Sequence, residues 1–111
     1  HAWGASPLYL LGKYYLGVKP TAPGYSEYVV EPNLGSLEWM EGKVPTPKGE
    51  VAVYVSQSEI KVQSGEGEGK LIFESKIKPR TNSGTIVNLS KNKYQVTIQP
   101  GVAYQISYKT L

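Results

Sequence analysis

Two hydrophobic periods divide the chain near Pro20. From Gly24 to Leu111 apolar side chains recur at every second position: Tyr28-Val30, Leu37-Trp39, Val51-Val53-Val55, Ile60-Val62, Leu71-Phe73, Tyr94-Val96-Ile98 and Val102-Tyr104-Ile106-Tyr108. A period of two is that of a strand with one face buried and one wet. Turn residues separate the runs. Pro47-Lys48-Gly49 and Lys91-Asn92 stand between neighbours, and Pro100-Gly101 suits the centre of a type II turn, where proline presets the first φ and glycine accepts a positive second. Residues 64–69, Ser-Gly-Glu-Gly-Glu-Gly, read as a flexible polar connection. Their Glu/Gly alternation does not make a calcium loop, which needs several oxygen ligands at set offsets, usually with Asp. Seven or eight short strands at this spacing predict a mainly β protein, an antiparallel β-sandwich.

Residues 1–18 follow another rule and predict one N-terminal α-helix. Ser6-Pro7 offers a hydroxyl cap followed by proline at the first helical position, and Gly17 with Pro20 offers the stop. Leu8, Leu11, Tyr15 and Val18 follow a helical stripe, while Tyr9, Leu10, Tyr14 and Leu16 occupy the other directions. A helix apolar on most sides is normally buried on most sides, and one small sandwich covers only one of them. The expectation is a helix separated from its neighbours. Residues 1–22 are then the last helix and linker of a truncated preceding domain, and residues 23–111 the sandwich. The opening His1-Ala2-Trp3, without Met, fits a C-terminal fragment of a longer protein. Such a helix also predicts dimers formed through residues 7–16, because contiguous apolar patches drive association.

Composition narrows the chemistry. All nine acidic residues are Glu, there is no Asp or Cys, and the one His is residue 1. A Ser-His-Asp triad, a disulfide framework and a Cys-ligated zinc site are thereby excluded, and no cofactor is implied. No apolar run approaches the length of a membrane span. The net charge of +3 is spread thinly: Lys13 and Lys19 carry +2 in residues 1–22, and ten basic against nine acidic side chains leave +1 in residues 23–111. A nucleic-acid binder concentrates its base on one face, so no nucleic-acid partner is expected, and Lys76, Lys78 and Arg80 read as a solvated strand edge. Among the aromatics, Trp3 reads as packing at a helix start. Trp39 follows the Leu37 face and is expected in the core. Tyr54 lies opposite Val51-Val53-Val55 and is the candidate for an exposed, sugar-stacking ring.

The order and spacing of the first half carry a further signal. His1-Ala2-Trp3, Gly4 to Pro7, Leu16-Gly17, Pro23-Gly24, Glu31 to Gly35 and Trp39 to Gly49 together resemble the C-terminal region of bacterial α-L-rhamnosidases, glycoside hydrolase family 78. The second half is similar only in strand pattern and in its terminal hairpin. The resemblance implies that residues 1–18 are the last helix of an (α/α)6 catalytic barrel and that the remainder is its C-terminal β-sandwich. It implies a parent enzyme that cleaves terminal α-L-rhamnose with inversion, using two carboxyl groups about 6.5–9.5 Å apart. In the family both come from earlier barrel loops, so no Glu here is assigned a catalytic role. His1 matches the family's His at the barrel mouth, implying substrate binding in the full-length enzyme, where one imidazole nitrogen donates and the other accepts. The partners implied are the catalytic barrel of the same polypeptide and, for the parent, terminal rhamnosides. A periplasmic or extracellular location is expected. The alternative to this non-catalytic domain is an autonomous carbohydrate-binding or adhesion module.

Overall fold

Residues 16–111 of the computed structural model are described. They form ten strands: β1 (Val18–Pro20), β2 (Glu27–Val30), β3 (Trp39–Thr46), β4 (Gly49–Ser56), β5 (Glu59–Ser64), β6 (Glu68–Glu74), β7 (Arg80–Thr81), β8 (Ile86–Ser90), β9 (Lys93–Ile98) and β10 (Ala103–Ser107). Two five-stranded sheets result, in the orders β1-β2-β6-β9-β8 and β3-β4-β5-β10-β7. The expected sandwich is present. The strand count exceeds the reading because β1 and β7 have only three and two residues, too short for a visible alternation, and because β8 buries no residue fully.

The alternating apolar positions meet between the sheets. Registers align Val18, Val30, Leu71 and Val96 across the first sheet, and Met40, Val55, Ile60 and Ile106 across the second, all of them buried. Phe73 lies edge-on to Tyr108 with ring centroids 5.7 Å apart, joining the two layers through an arrangement that sets the positive edge of one ring against the other's face. All pairs are antiparallel except β2 with β6. That pair is parallel because the meander β3-β4-β5, lying in the opposite sheet, forms the connection between them.

Turn chemistry follows the sequence at the hairpins. The β3–β4 hairpin turns at Pro47-Lys48 with Gly49 at φ +98°, and Thr46 Oγ1 accepts from Lys48 N at 3.0 Å. Gln99 O accepts from Val102 N at 3.4 Å across Pro100-Gly101, with Gly101 at φ +74°. The 64–69 stretch is tighter than the flexible connection expected. Ser64 and Gly69 belong to strands, Gly65 N and Glu66 N donate to Glu50 O and Lys48 O, and Ser64 Oγ donates to Gly67 O. Backbone groups of the neighbouring hairpin hold this loop, whereas its composition alone suggested freedom.

The predicted helix falls almost wholly on residues 1–15, outside those described, as do residues 7–15 of the expected dimer contact. Within residues 16–18 the helical stripe is corrected. Val18 opens β1 and pairs with Val30, because Gly17 at φ +70° turns the chain into an extended path. Residues 16–20 therefore pack as part of the sandwich.

Candidate functional site

Two places on the sandwich combine specific geometry with a use. The first is where the chain enters. Leu16 is 2% exposed and fills the seam between the sheets, its Cδ1 only 2.9 Å from where a Cβ on Gly42 would stand. Next to it Gly17 passes against the backbone of β2's end. Glu31 N donates to Gly17 O at 3.0 Å, and a Cβ on Gly17 would fall 2.0 Å from Glu31 O. Only glycine combines that positive φ with that approach. Leu16 and Gly17 are thus a fixed point of the sandwich.

The second place is the outer face of the β3-β4-β5-β10-β7 sheet. Register sets Glu41, Tyr54, Lys61 and Gln105 in one cross-strand row, and Lys43, Ala52, Gln63 and Ala103 in the next. The two alanines leave a trough between longer side chains, with a volume of about 510 Å³ and a further wall at Asn82. Its polar groups are held in place. Gln105 Nε2 donates to Glu59 Oε2, Lys61 Nζ lies 3.7 Å from Glu59 Oε1, and Asn82 Oδ1 accepts from Gln105 N at 2.8 Å. Tyr54 stands at one end between two partners. Trp39 stacks on it with centroids 6.3 Å apart and planes 20° from parallel, and Lys61 Nζ lies 5.4 Å from its centroid, within cation–π range.

The predicted residues fare differently. Tyr54 does face outward and is half-buried by its two neighbours. Trp39 does not enter the core: it is 56% exposed. The strand begins at Trp39, so Leu37 lies outside it and sets no parity, and the inward positions of β3 are Met40 and Val44. Of the basic cluster, Arg80 lies in the edge strand β7 and is exposed, and Lys76 and Lys78 lie in the loop before it. His1 and Trp3 lie outside the described residues. Among those described, no three His, Cys, Asp or Glu side chains gather as metal ligands, and no helix is long and apolar enough to cross a membrane. Glu41, Lys61, Gln63 and Gln105 were not singled out from the sequence. For Lys61, Gln63 and Gln105 the signal was parity, since each alternates with a correctly read core position; Glu41 shares the parity of the misread Trp39, and only cross-strand register assembles the four.

Comparison with known proteins agrees with this architecture. Residues 17–65 match the family described as the bacterial alpha-L-rhamnosidase C-terminal domain. An alpha-L-rhamnosidase of Alteromonas sp. (strain LOR) is 46% identical over 39 residues, which cover 34% of this chain and 4% of that protein. The fold is shared with a Streptomyces avermitilis alpha-L-rhamnosidase solved with L-rhamnose (TM-score 0.73, 14% identity, 89% of this chain and 10% of that one). It is also shared with an alpha-L-rhamnosidase from Dictyoglumus thermophilum (TM-score 0.66, 16% identity, 86% of this chain and 12% of that one). The chain thus spans a small fraction of each relative.

Proposed function

We propose that this chain, whose residues 17–65 match the bacterial alpha-L-rhamnosidase C-terminal domain family, is a glycoside hydrolase accessory domain that performs no turnover itself and serves as a rigid base for a preceding catalytic barrel. The observation that carries this reading is the entry anchor. Leu16 in the seam and Gly17 against Glu31 O give the sandwich a firmly packed attachment point. The segment before this point includes His1, for which a sugar contact in the full-length enzyme is part of the proposal. A sugar-binding side chain must be held within a fraction of an ångström of its productive place, and a core-anchored attachment point limits its drift. The reaction proposed for the whole polypeptide is hydrolysis of terminal α-L-rhamnosides outside the cytoplasm, with both catalytic carboxyl groups supplied by the barrel.

The test is release of an aryl aglycone from an aryl α-L-rhamnoside. The 111-residue chain is expected to release none, while a longer polypeptide that includes the preceding barrel does. Rhamnose release by the 111-residue chain alone overturns the proposal.

A further inference from the structure

We propose that the trough on the outer face of the β3-β4-β5-β10-β7 sheet binds an uncharged saccharide. Its volume of about 510 Å³ lies within the range of small-ligand sites. The chemistry of its walls selects among ligands. Glu41 and Glu59 oppose Lys43 and Lys61, so the face has no excess of either sign for a phosphate or a nucleic acid. Val53, Val62 and Tyr104 beneath it are buried, so the apolar side chains it presents are the methyl groups of Ala52 and Ala103 and the Tyr54 ring, too little to anchor a protein partner's large apolar side chain. What remains is a set of fixed donors and acceptors around a small apolar floor, with aromatic rings at one end. A sugar ring has that complement: hydroxyls that both donate and accept, and C–H faces that lie against methyl groups and π faces.

Two details favour a preformed site. The amide of Gln105 is already oriented by Glu59, and its backbone N–H by Asn82, so neither must be ordered on binding. Tyr54 is held between Trp39 and Lys61, and Trp39 leaves more than half of its surface open beside the trough. Nothing in this proposal requires turnover, so a chain that binds sugar and hydrolyses none is consistent with both readings.

The experiment titrates the 15N-labelled 111-residue chain with L-rhamnose, with cellotetraose and with sodium glucuronate. The expected result is saturable shifts from at least one neutral probe, confined to the Trp39 indole and the Gln63, Asn82 and Gln105 amides. Tyr54→Ala should weaken binding by about tenfold. Ala103→Leu fills the floor at an exposed position and should abolish binding while leaving the rest of the amide spectrum unchanged. The proposal is overturned if neither neutral probe gives saturable shifts. It is also overturned if binding survives Ala103→Leu, if glucuronate binds more tightly than both neutral probes, or if the same resonances move only with chain concentration, which would make the face a contact between copies.

Discussion

Leu16 occupies the space that a side chain on Gly42 would need, with its Cδ1 2.9 Å from the position of that absent Cβ. The pair closes the sandwich seam where the chain enters, and the missing side chain on β3 is what lets a leucine from outside the alternating pattern reach the core.

Leu16→Ala is therefore expected to destabilise the sandwich by about 2–4 kcal/mol, the transfer loss plus the cavity left behind. Gly42→Val should cost about 1–3 kcal/mol by overpacking the same space. The two together should cost less than their sum, because the smaller residue 16 leaves room for the valine. Denaturant unfolding of the two single variants and the double variant measures this. Strict additivity would show that the two positions are not in contact.

Gly17→Ala addresses the other half of the anchor. The substitution requires a positive φ from a residue with a Cβ and places that atom against the Glu31 carbonyl, where only backbone could yield. A loss of about 2–4 kcal/mol is expected. In a longer polypeptide with rhamnosidase activity, the proposed supporting role of the anchor predicts that kcat falls more than KM rises. A variant of wild-type melting temperature would contradict the geometry.

Gly69 shows the same logic inside a strand. A Cβ there would fall 2.2 Å from Tyr28 Cζ, and the Tyr28 ring is fully buried. Gly69→Ala should lower stability by about 2–3 kcal/mol. Tyr28→Leu in the same chain should recover part of that loss, measurable as a coupling energy in thermal unfolding.

Two buried tyrosines give a contrast in hydrogen bonding. The Tyr108 hydroxyl donates to Ser56 O at 2.6 Å, whereas the Tyr28 hydroxyl has no hydrogen-bond partner among the described residues. Tyr108→Phe should cost about 1 kcal/mol, and Tyr28→Phe should be neutral or stabilising by up to about 1 kcal/mol. Chemical denaturation of each variant checks the ordering, and the reverse order would refute it.

Alkaline pH should weaken the fold through the same two residues. Burial raises both phenols, with Thr110 offsetting part of the shift at Tyr108. The folded state then holds its phenolic protons after the unfolded chain begins to release them near the ordinary value of about 10. Because the unfolded state binds fewer protons there, stability falls as pH rises above about 10 and through the raised folded values. Below that range these groups should leave the stability unaffected. A melting temperature flat between pH 9 and 11, round values set by that ordinary pKa of about 10, would contradict the assignment.

The fold class was legible because a strand's period of two survives in the sequence wherever one face is buried. Val51-Val53-Val55, Ile60-Val62 and Tyr104-Ile106 point inward as their alternation predicts. Trp39 was misplaced because its parity was taken from Leu37, which lies outside the strand. The Leu16 contact was missed for another reason: its partner is a glycine, which carries no hydrophobic signal. In the trough, Tyr54 could be found by parity, but its association with Trp39, Lys61 and Gln105 could not.

What the sequence determined by itself was local: which residues alternate, where proline and glycine turn the chain, and the motif order from Leu16-Gly17 to Gly49 that resembles the rhamnosidase C-terminal domain. What the tertiary structure decided was pairing. The parallel β2–β6 contact, the Leu16–Gly42 seam and the row from Glu41 to Gln105 each join segments tens of residues apart. Alternation fixes which face a side chain takes, because successive Cβ atoms point to opposite sides of a strand. Which strand lies beside it depends on how two sheets bury their apolar faces together, a property of the whole chain.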